Sequence, residues 1–187
     1  AGATSVNVGA LTLNGTSVSL GGGTFNAATV NFNSAGAVTI AEDSAMDIVG
    51  ANTAASLDLD STGAISDAGA TSVTVTGLSD VSGGSVSLGG GTFNTGTLTF
   101  NSAGAVTISE DSGMDIVGVN TGGATSLTST AGISDAGATS VDVGALTLDG
   151  TSVSLGGGTF NAATVNFTSA GAVAISEDSG MDIVGTN

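Results

Sequence analysis

Three acidic clusters are the residues of this chain best suited to chemistry. The first contains Glu42, Asp43 and Asp47, and similar runs begin at Glu110 and Glu177. Paired carboxylates could catalyse glycoside hydrolysis, and their hard oxygens could bind Ca²⁺. However, neighbouring residues on a strand point to opposite faces, and no Lys, Arg, His or Tyr is present to complete an active site. We therefore expect solvated acidic corners without catalytic residues or cofactors, and Ca²⁺ binding that is weak. The candidate Ca²⁺ ligands are Glu42, Asp43, Asp47, Glu110, Asp111, Asp115, Glu177, Asp178 and Asp182.

Triple-glycine runs form a second recurring motif, starting at Gly21, Gly89 and Gly156. Glycine-rich loops cradle phosphates when a lysine and a helix N-terminus follow them, and neither follows here. Glycine also allows tight turns that other residues resist. These runs therefore predict corners of the fold rather than phosphate sites.

Two further patterns suggest surfaces made of repeated side chains. Asn26, Asn94 and Asn161 hold the same place in successive repeats. We expect buried or turn-capping asparagines there, with stacked amide ladders as the alternative. Thr97 and Thr99 resemble the ranked threonines of ice-binding β-solenoids, but equivalent outward places hold Asn31 or Asp58. A regular threonine plane is therefore not expected.

The charge of the chain is entirely acidic. Its 187 residues include 16 Asp and Glu and no Lys or Arg, giving a net charge of −16. Such a chain cannot neutralise phosphates, so nucleic acids and anionic membrane surfaces are poor partners. A hydrophobic content of 40% favours folding. No apolar run is long enough for membrane insertion, and the absence of trypsin sites suits a secreted protein.

The chain repeats itself almost verbatim with a period of about 68 residues. The repeat units are 1–68, 69–136 and 137–187, of which the last is incomplete. A fixed period of this kind is typical of solenoids, in which each unit buries its apolar face against its neighbours. We expect one continuous solenoid over residues 1–187.

Within each unit, apolar-polar-apolar triplets alternate with short turns, as in Leu11–Leu13 and Leu57–Leu59. This alternation predicts short half-buried strands, and no helical periodicity is present. The predicted fold is an all-β parallel β-solenoid with three strands and about 22 residues per rung. It would have three rungs per repeat and about eight rungs in all. Phe32, Phe100 and Phe167 would then stack three rungs apart.

Neither end of the chain carries an obvious cap. Open strand edges template further pairing, so arrays either cap their ends or continue. We expect the chain to continue a longer array or to polymerise end to end with itself. Ca²⁺ could also link acidic rods side by side in bundles.

The run from Asn33 to Ile40, followed by an acidic turn and Met46–Gly50, resembles repeats of large bacterial surface proteins of the filamentous-haemagglutinin-like, two-partner-secreted type. The resemblance implies a β-helical shaft, secretion to the cell surface, and a role in adhesion, biofilm or surface assembly. We therefore expect a structural segment of an extracellular fibre, sheath or adhesin stalk. The alternatives are a carbohydrate-binding or depolymerising β-helix and an ice-binding module.

Overall fold

The computed structural model describes residues 5–187, and within them the chain forms 22 strands and no helix. Every strand pairing in the described chain is parallel. No helix that could cross a membrane occurs in this part of the chain. The strands are β1 (Ser5–Gly15), β2 (Val18–Leu20), β3 (Thr24–Ser34), β4 (Ala37–Glu42), β5 (Met46–Ile48), β6 (Ala51–Ala54), β7 (Ser56–Ser61), β8 (Ala64–Asp67), β9 (Ser72–Val75), β10 (Leu78–Gly83), β11 (Ser85–Leu88), β12 (Thr92–Asn94), β13 (Thr97–Ser102), β14 (Val106–Glu110), β15 (Met114–Ile116), β16 (Val119–Gly122), β17 (Thr125–Ser129), β18 (Gly132–Asp135), β19 (Ser140–Asp149), β20 (Ser152–Leu155), β21 (Thr159–Thr168) and β22 (Val173–Ile175).

The strands stack in two main ladders that form the two walls of the coil. The first ladder is β1, β3, β5, β8, β11, β14, β17, β19 and β21, and the second ladder is β2, β4, β7, β10, β13, β15, β18, β20 and β22. Each turn of the chain contributes one strand to each ladder, so the nine strands of a ladder correspond to nine turns. The four remaining strands, β6, β9, β12 and β16, fill corners between the walls. The predicted parallel β-solenoid is therefore confirmed, with two walls in every turn and a third segment at a corner in some.

The turns are shorter than the sequence patterns predict. Residues that pair in adjacent turns are roughly 19 positions apart in the sequence, which is the length of one turn. The step from Val30 to Ile48 is among the shortest, and the longest joins Leu57 to Ser79. The long strands β1, β3, β19 and β21 each run from a corner into a wall without a loop, so a corner segment and a wall segment share one strand.

One sequence repeat consequently spans about three and a half turns, not three. The same Ser-Val-Ser-Leu phrase places Val18 in the second ladder, Val86 in the first and Val153 in the second. Successive repeats therefore present equivalent residues on opposite walls. This arrangement is possible because both walls are built from the same apolar-polar-apolar triplet.

The half turn also changes which phenylalanines stack. Phe100 pairs with Val81 in the second ladder, whereas Phe167 pairs with Leu148 in the first. The predicted stack of Phe32, Phe100 and Phe167 is therefore wrong. Phe32 instead lies between Leu13 of the preceding turn and Asn52 of the following turn, as its backbone bonds show.

The core is a continuous column of inward-facing apolar side chains between the two walls. Inward and outward positions alternate along each strand, as in β4, where Val38 and Ile40 are fully buried and Thr39 is not. A polar pair, the hydroxyls of Ser79 and Thr95, is hydrogen-bonded within the column at 2.8 Å. The other polar groups of interest lie at the corners.

Candidate functional site

The three acidic clusters lie at corners where the chain leaves a strand, and each glutamate points inward. Glu110 is 0% exposed. Its Oε1 accepts the backbone N–H of Thr95 in the preceding turn at 3.2 Å and the hydroxyl of Ser112 at 2.8 Å. The other two corners repeat these bonds, with Ala27 N–H and Ser44 on Glu42, and Ala162 N–H and Ser179 on Glu177.

The aspartate that follows each glutamate binds the same preceding strand. The Oδ2 of Asp111 accepts the N–H of Phe93 at 3.0 Å, while the N–H of Asp111 donates to the Phe93 carbonyl at 2.9 Å. Asp43 with Phe25 and Asp178 with Phe160 make the same pair of bonds. The two carboxylates therefore replace the backbone acceptors that a continuing strand would have supplied.

The prediction of solvated acidic corners is wrong for Glu42 and Glu110, which are 3% and 0% exposed. The third acid of each cluster lies apart from them, on the next strand in the first two clusters and beside the isolated bridge of Ile183 in the third. Asp47 and Asp115 face outward there, and each accepts the hydroxyl of a serine in the following turn, Ser66 and Ser134. Within residues 5–187, no group of three acidic, histidine or cysteine side chains is placed to hold a metal ion.

The second carboxylate oxygen of each corner glutamate is buried without a hydrogen-bond partner. Burial raises the pKa of Glu110, and the negative charges of Asp111 and Asp115 raise it further. The hydrogen bonds from Ser112 and from the Thr95 amide act in the opposite direction. Burial of a carboxylate without a counter-cation disfavours its ionised form, which accounts for the net upward direction.

The triple-glycine runs form corners, as predicted, and the runs that begin at Gly89 and Gly156 also bind an anion, which is an aspartate of the chain itself. Asp67 accepts the amides of Gly89 and Gly90 at 2.9 to 3.1 Å, and Asp135 binds Gly156 and Gly157 at 3.0 to 3.1 Å. Gly89 has a φ of 108°, which few other residues adopt. Successive amides in such a turn form a concave anion site, and here it ties adjacent turns together.

The amides that hold corners are not those that the sequence suggested. Asn120 is 0% exposed; its Oδ1 accepts the Phe100 N–H at 2.9 Å, and its Nδ2 donates to the carbonyls of Val117, Gly118 and Ser140. Asn52 is buried in the same way, and Asn187 accepts the N–H of Phe167. Asn26, Asn94 and Asn161 are half-buried on strands, where they pair with Asn7, Thr74 and Asp142 of the preceding turn and do not stack on one another.

A signal for these corner amides was present in the sequence. Each one follows the run Met-Asp-Ile-Val-Gly by two residues, at Asn52, Asn120 and Asn187. A buried asparagine at a fixed place after an apolar run indicates a bond to backbone that has lost its strand partner. The backbone bonds of Asn120 confirm that role for this position.

Three aspartates on the second ladder form an acidic stack that the sequence analysis did not identify. Asp58 of β7 and Asp80 of β10 are directly paired in adjacent turns, and Asp60 lies two residues further along β7. Partial burial raises the pKa of Asp80, and the charges of Asp58 and Asp60 add to this rise. Burial also raises the pKa of Asp58, with Asp60 as the second cause. No cation in this sequence offsets the repulsion.

Comparison with known proteins adds no assignment: no protein-family model, curated protein or solved structure matches this chain.

Proposed function

We propose that this chain is a structural segment of an extracellular fibre, sheath or adhesin stalk of a bacterial cell surface, without enzymatic activity. The observation that carries the proposal is that the polar side chains at the corners of the coil are hydrogen-bonded to backbone. The corner carboxylates and amides, which are the groups best able to do chemistry, hold the backbone of the neighbouring turn. Hydrogen bonds between the corners of adjacent turns make separation of those turns unfavourable, which suits a structural role.

The last turn supports extension of the shaft beyond the chain. Met181 and Ile183 are 39% and 53% exposed. The identical residues of the first two repeats, Met46 and Ile48, then Met114 and Ile116, are at most 1% exposed because a further turn covers them. The same sequence is therefore buried wherever a turn follows it. We infer that another turn covers the last one in the assembled fibre.

The first turn, like the last, exposes apolar side chains that the middle turns bury. The apolar residues of its strands are only partly buried, although they belong to the core: Val6, Leu11, Leu13, Val18 and Leu20. The strands β1 and β2 pair on one side only within the described chain, with β3 and β4. Unpaired parallel edges at both ends favour head-to-tail stacking, through either a continuing chain or a second copy.

The composition supports an extracellular place for this shaft. The chain has no trypsin site, and its net charge of −16 disfavours nucleic acids and anionic membranes as partners. The acidic surface also keeps separate rods apart, so that growth along the axis is favoured over disordered aggregation.

Light scattering and electron microscopy over a concentration series test the proposal. We expect the chain to form thin, unbranched fibres as its concentration rises. Ile183→Asp, which places a charge on the open end, should shorten or abolish the fibres. Thr107→Asp, which adds the same charge on an exposed position in mid-shaft, is the matched control. A wild-type chain that stays monomeric at every concentration would contradict self-assembly.

A further inference from the structure

The pairing between β7 and β10 joins two adjacent turns within the rod, and we call it the acidic joint. It is four residues long, with Leu57 opposite Ser79 on the inward side and Asp58 opposite Asp80 on the outward side. The pairings next to it, β4 with β7 and β10 with β13, are each six residues long. Fewer paired strand residues therefore hold these two turns together than hold either turn to its other neighbour.

A hydroxyl group interrupts the inward side of the acidic joint. Ser79 is 0% exposed and lies between Leu57 of the preceding turn and Leu98 of the following turn. Its Oγ is hydrogen-bonded to the hydroxyl of Thr95 at 2.8 Å, so a residue later in the chain satisfies this polar group. The Ser79 hydroxyl therefore does not bond to β7, and the joint buries less apolar surface than a pair of leucines would bury.

The outward side of the acidic joint carries three carboxylates and no compensating charge. Residues in register on adjacent strands lie about 4.8 Å apart, so Asp58 and Asp80 face each other directly. Asp60 lies on the same side of β7, two residues further along. Like charges that are directly opposite destabilise a strand pair, and the chain contains no Lys, Arg or His. The residues in register beyond the joint are uncharged: Thr39 and Ala41 on β4, and Thr99 and Asn101 on β13.

Protonation changes the sign of the interaction between the facing carboxylates. Partial burial raises the pKa of Asp80, and the charges of Asp58 and Asp60 raise it further. Burial, followed by the charge of Asp60, raises the pKa of Asp58. Glu42 and Asp43 line the same surface hollow as Asp60 and add only negative charge. A proton shared by two carboxylates replaces their repulsion with a charge-assisted hydrogen bond.

The direction of the pH dependence follows from these raised pKa values. A group whose pKa is raised by folding contributes its full stability below its ordinary value, which is 3.8 for these aspartates. That contribution is lost as the pH rises through the raised values of the folded chain. The two turns are therefore held together best in acid and least well near neutral pH.

The rod contains a second joint of the same design without facing carboxylates. Between β17 and β19, Ser126 pairs with Thr147 at the positions that Asp58 and Asp80 hold in the acidic joint. This neutral joint is also four residues long, and its inward side again pairs a leucine with a hydroxyl-bearing residue. Asp149 is the one acid among its eight residues and lies opposite a threonine. The main difference between the two joints is therefore the facing pair of carboxylates.

We propose that the acidic joint is a pH-sensitive opening point of the rod. In acid, a proton shared between Asp58 and Asp80 bonds the two turns together. Toward neutral pH that proton passes to water, both carboxylates are charged, and β7 and β10 separate locally more often than β17 and β19. The short pairing and the buried Ser79 favour opening at this place. The opening is a property of the single chain and does not depend on assembly end to end.

Hydrogen exchange of the backbone amides, measured by nuclear magnetic resonance from about pH 3.5 to pH 7, tests this proposal. The double variant Asp58→Ser and Asp80→Thr gives the acidic joint the outward residues of the neutral joint. At pH 7 we expect the amides of Ser79–Ser82 to be roughly two- to fivefold better protected in this variant than in the wild-type chain. The difference should disappear toward pH 3.5 and shrink at ~1 M NaCl. The amides of Leu146–Asp149 are the matched control and should gain less, because their opening does not separate β7 from β10.

A second variant, Asp80→Asn, removes one of the facing charges with little change of shape, so the test does not depend on the double variant alone. A gain in protection that is confined to the acidic joint and to the higher pH supports the proposal. An equal gain at pH 3.5 and pH 7 would overturn the role of protonation. An equal gain in both joints would overturn local opening at this place. The absence of a gain in both variants would overturn the proposal as a whole.

Discussion

Replacement of Asn120 by alanine should strongly destabilise the rod, because one buried amide there satisfies several backbone groups. The substitution leaves the Phe100 N–H without an acceptor and removes the donor to the carbonyls of Val117 and Gly118. The site is 0% exposed, so water cannot take over these bonds without opening the corner.

The expected cost follows from these lost bonds. A buried N–H without a partner costs about 1–3 kcal/mol, and each ordinary hydrogen bond contributes about 0.5–1.5 kcal/mol. We therefore expect Asn120→Ala to lower the free energy of unfolding by about 3 kcal/mol, a large share of the ~5–15 kcal/mol typical of folded domains. Asn94→Ala is the matched control, since its half-buried side chain makes none of the corner bonds.

Urea unfolding followed by circular dichroism measures both variants under the same conditions. Hydrogen exchange adds a local reading, because the Phe100 amide should lose protection in Asn120→Ala and keep it in Asn94→Ala. If the two variants differ by less than ~0.5 kcal/mol, the size of an ordinary surface effect, the corner-amide argument is refuted.

Three other substitutions test separate features of the rod. Gly91→Ala should lower the free energy of unfolding in urea by about 1–3 kcal/mol, because the new methyl group would collide with the carbonyl oxygen of Thr71. Gly22→Ala is the control and should be nearly neutral, because the space around Gly22 is open. Equal losses in the two variants would contradict this packing. Asp80→Thr should stabilise the rod by about 0.5–1 kcal/mol at low salt, because it removes the repulsion between Asp80 and the charges of Asp58 and Asp60. This gain in the free energy of unfolding should shrink at ~1 M NaCl, where charges are screened. A gain that salt leaves unchanged would exclude charge repulsion as its cause. Because the pKa of Glu110 is raised above 4.5, its stabilising contribution should be present below about pH 4.5 and be lost as the pH rises through the higher folded value. The free energy of unfolding should therefore fall less steeply between about pH 4.5 and neutrality in Glu110→Gln than in the wild-type chain. An unchanged pH dependence would contradict the raised pKa of Glu110.

The sequence was sufficient for the strands and for the class of fold. Alternating triplets such as Leu57–Leu59 predicted half-buried strands, and the near-identical repeats predicted a parallel solenoid; both agree with the structure. Triple glycine predicted corners, which Gly89 and its positive φ confirm. These features depend on local periodicity and backbone freedom, which short stretches of sequence display directly.

The length of a turn could not be obtained from the same patterns. The triplets look alike on both walls, so counting them cannot distinguish three turns per repeat from three and a half. Long strands that pass through corners, such as β3, also hide the corners from a search for turn residues. The inward direction of Glu110 was missed for a related reason, since its buried position follows from the strand register and not from its polarity.

Contacts between methyl groups test the register of the two-walled coil most directly. In a methyl-labelled sample, nuclear Overhauser spectra should join Ile108 to Leu127 and Leu127 to Leu148, the neighbours in successive turns of the first ladder. They should also join Ile40 to Leu59 in the second ladder. If Ile108 instead contacts residues near Ala131, as the longer turn predicted from the sequence would require, the register described for this solenoid is incorrect.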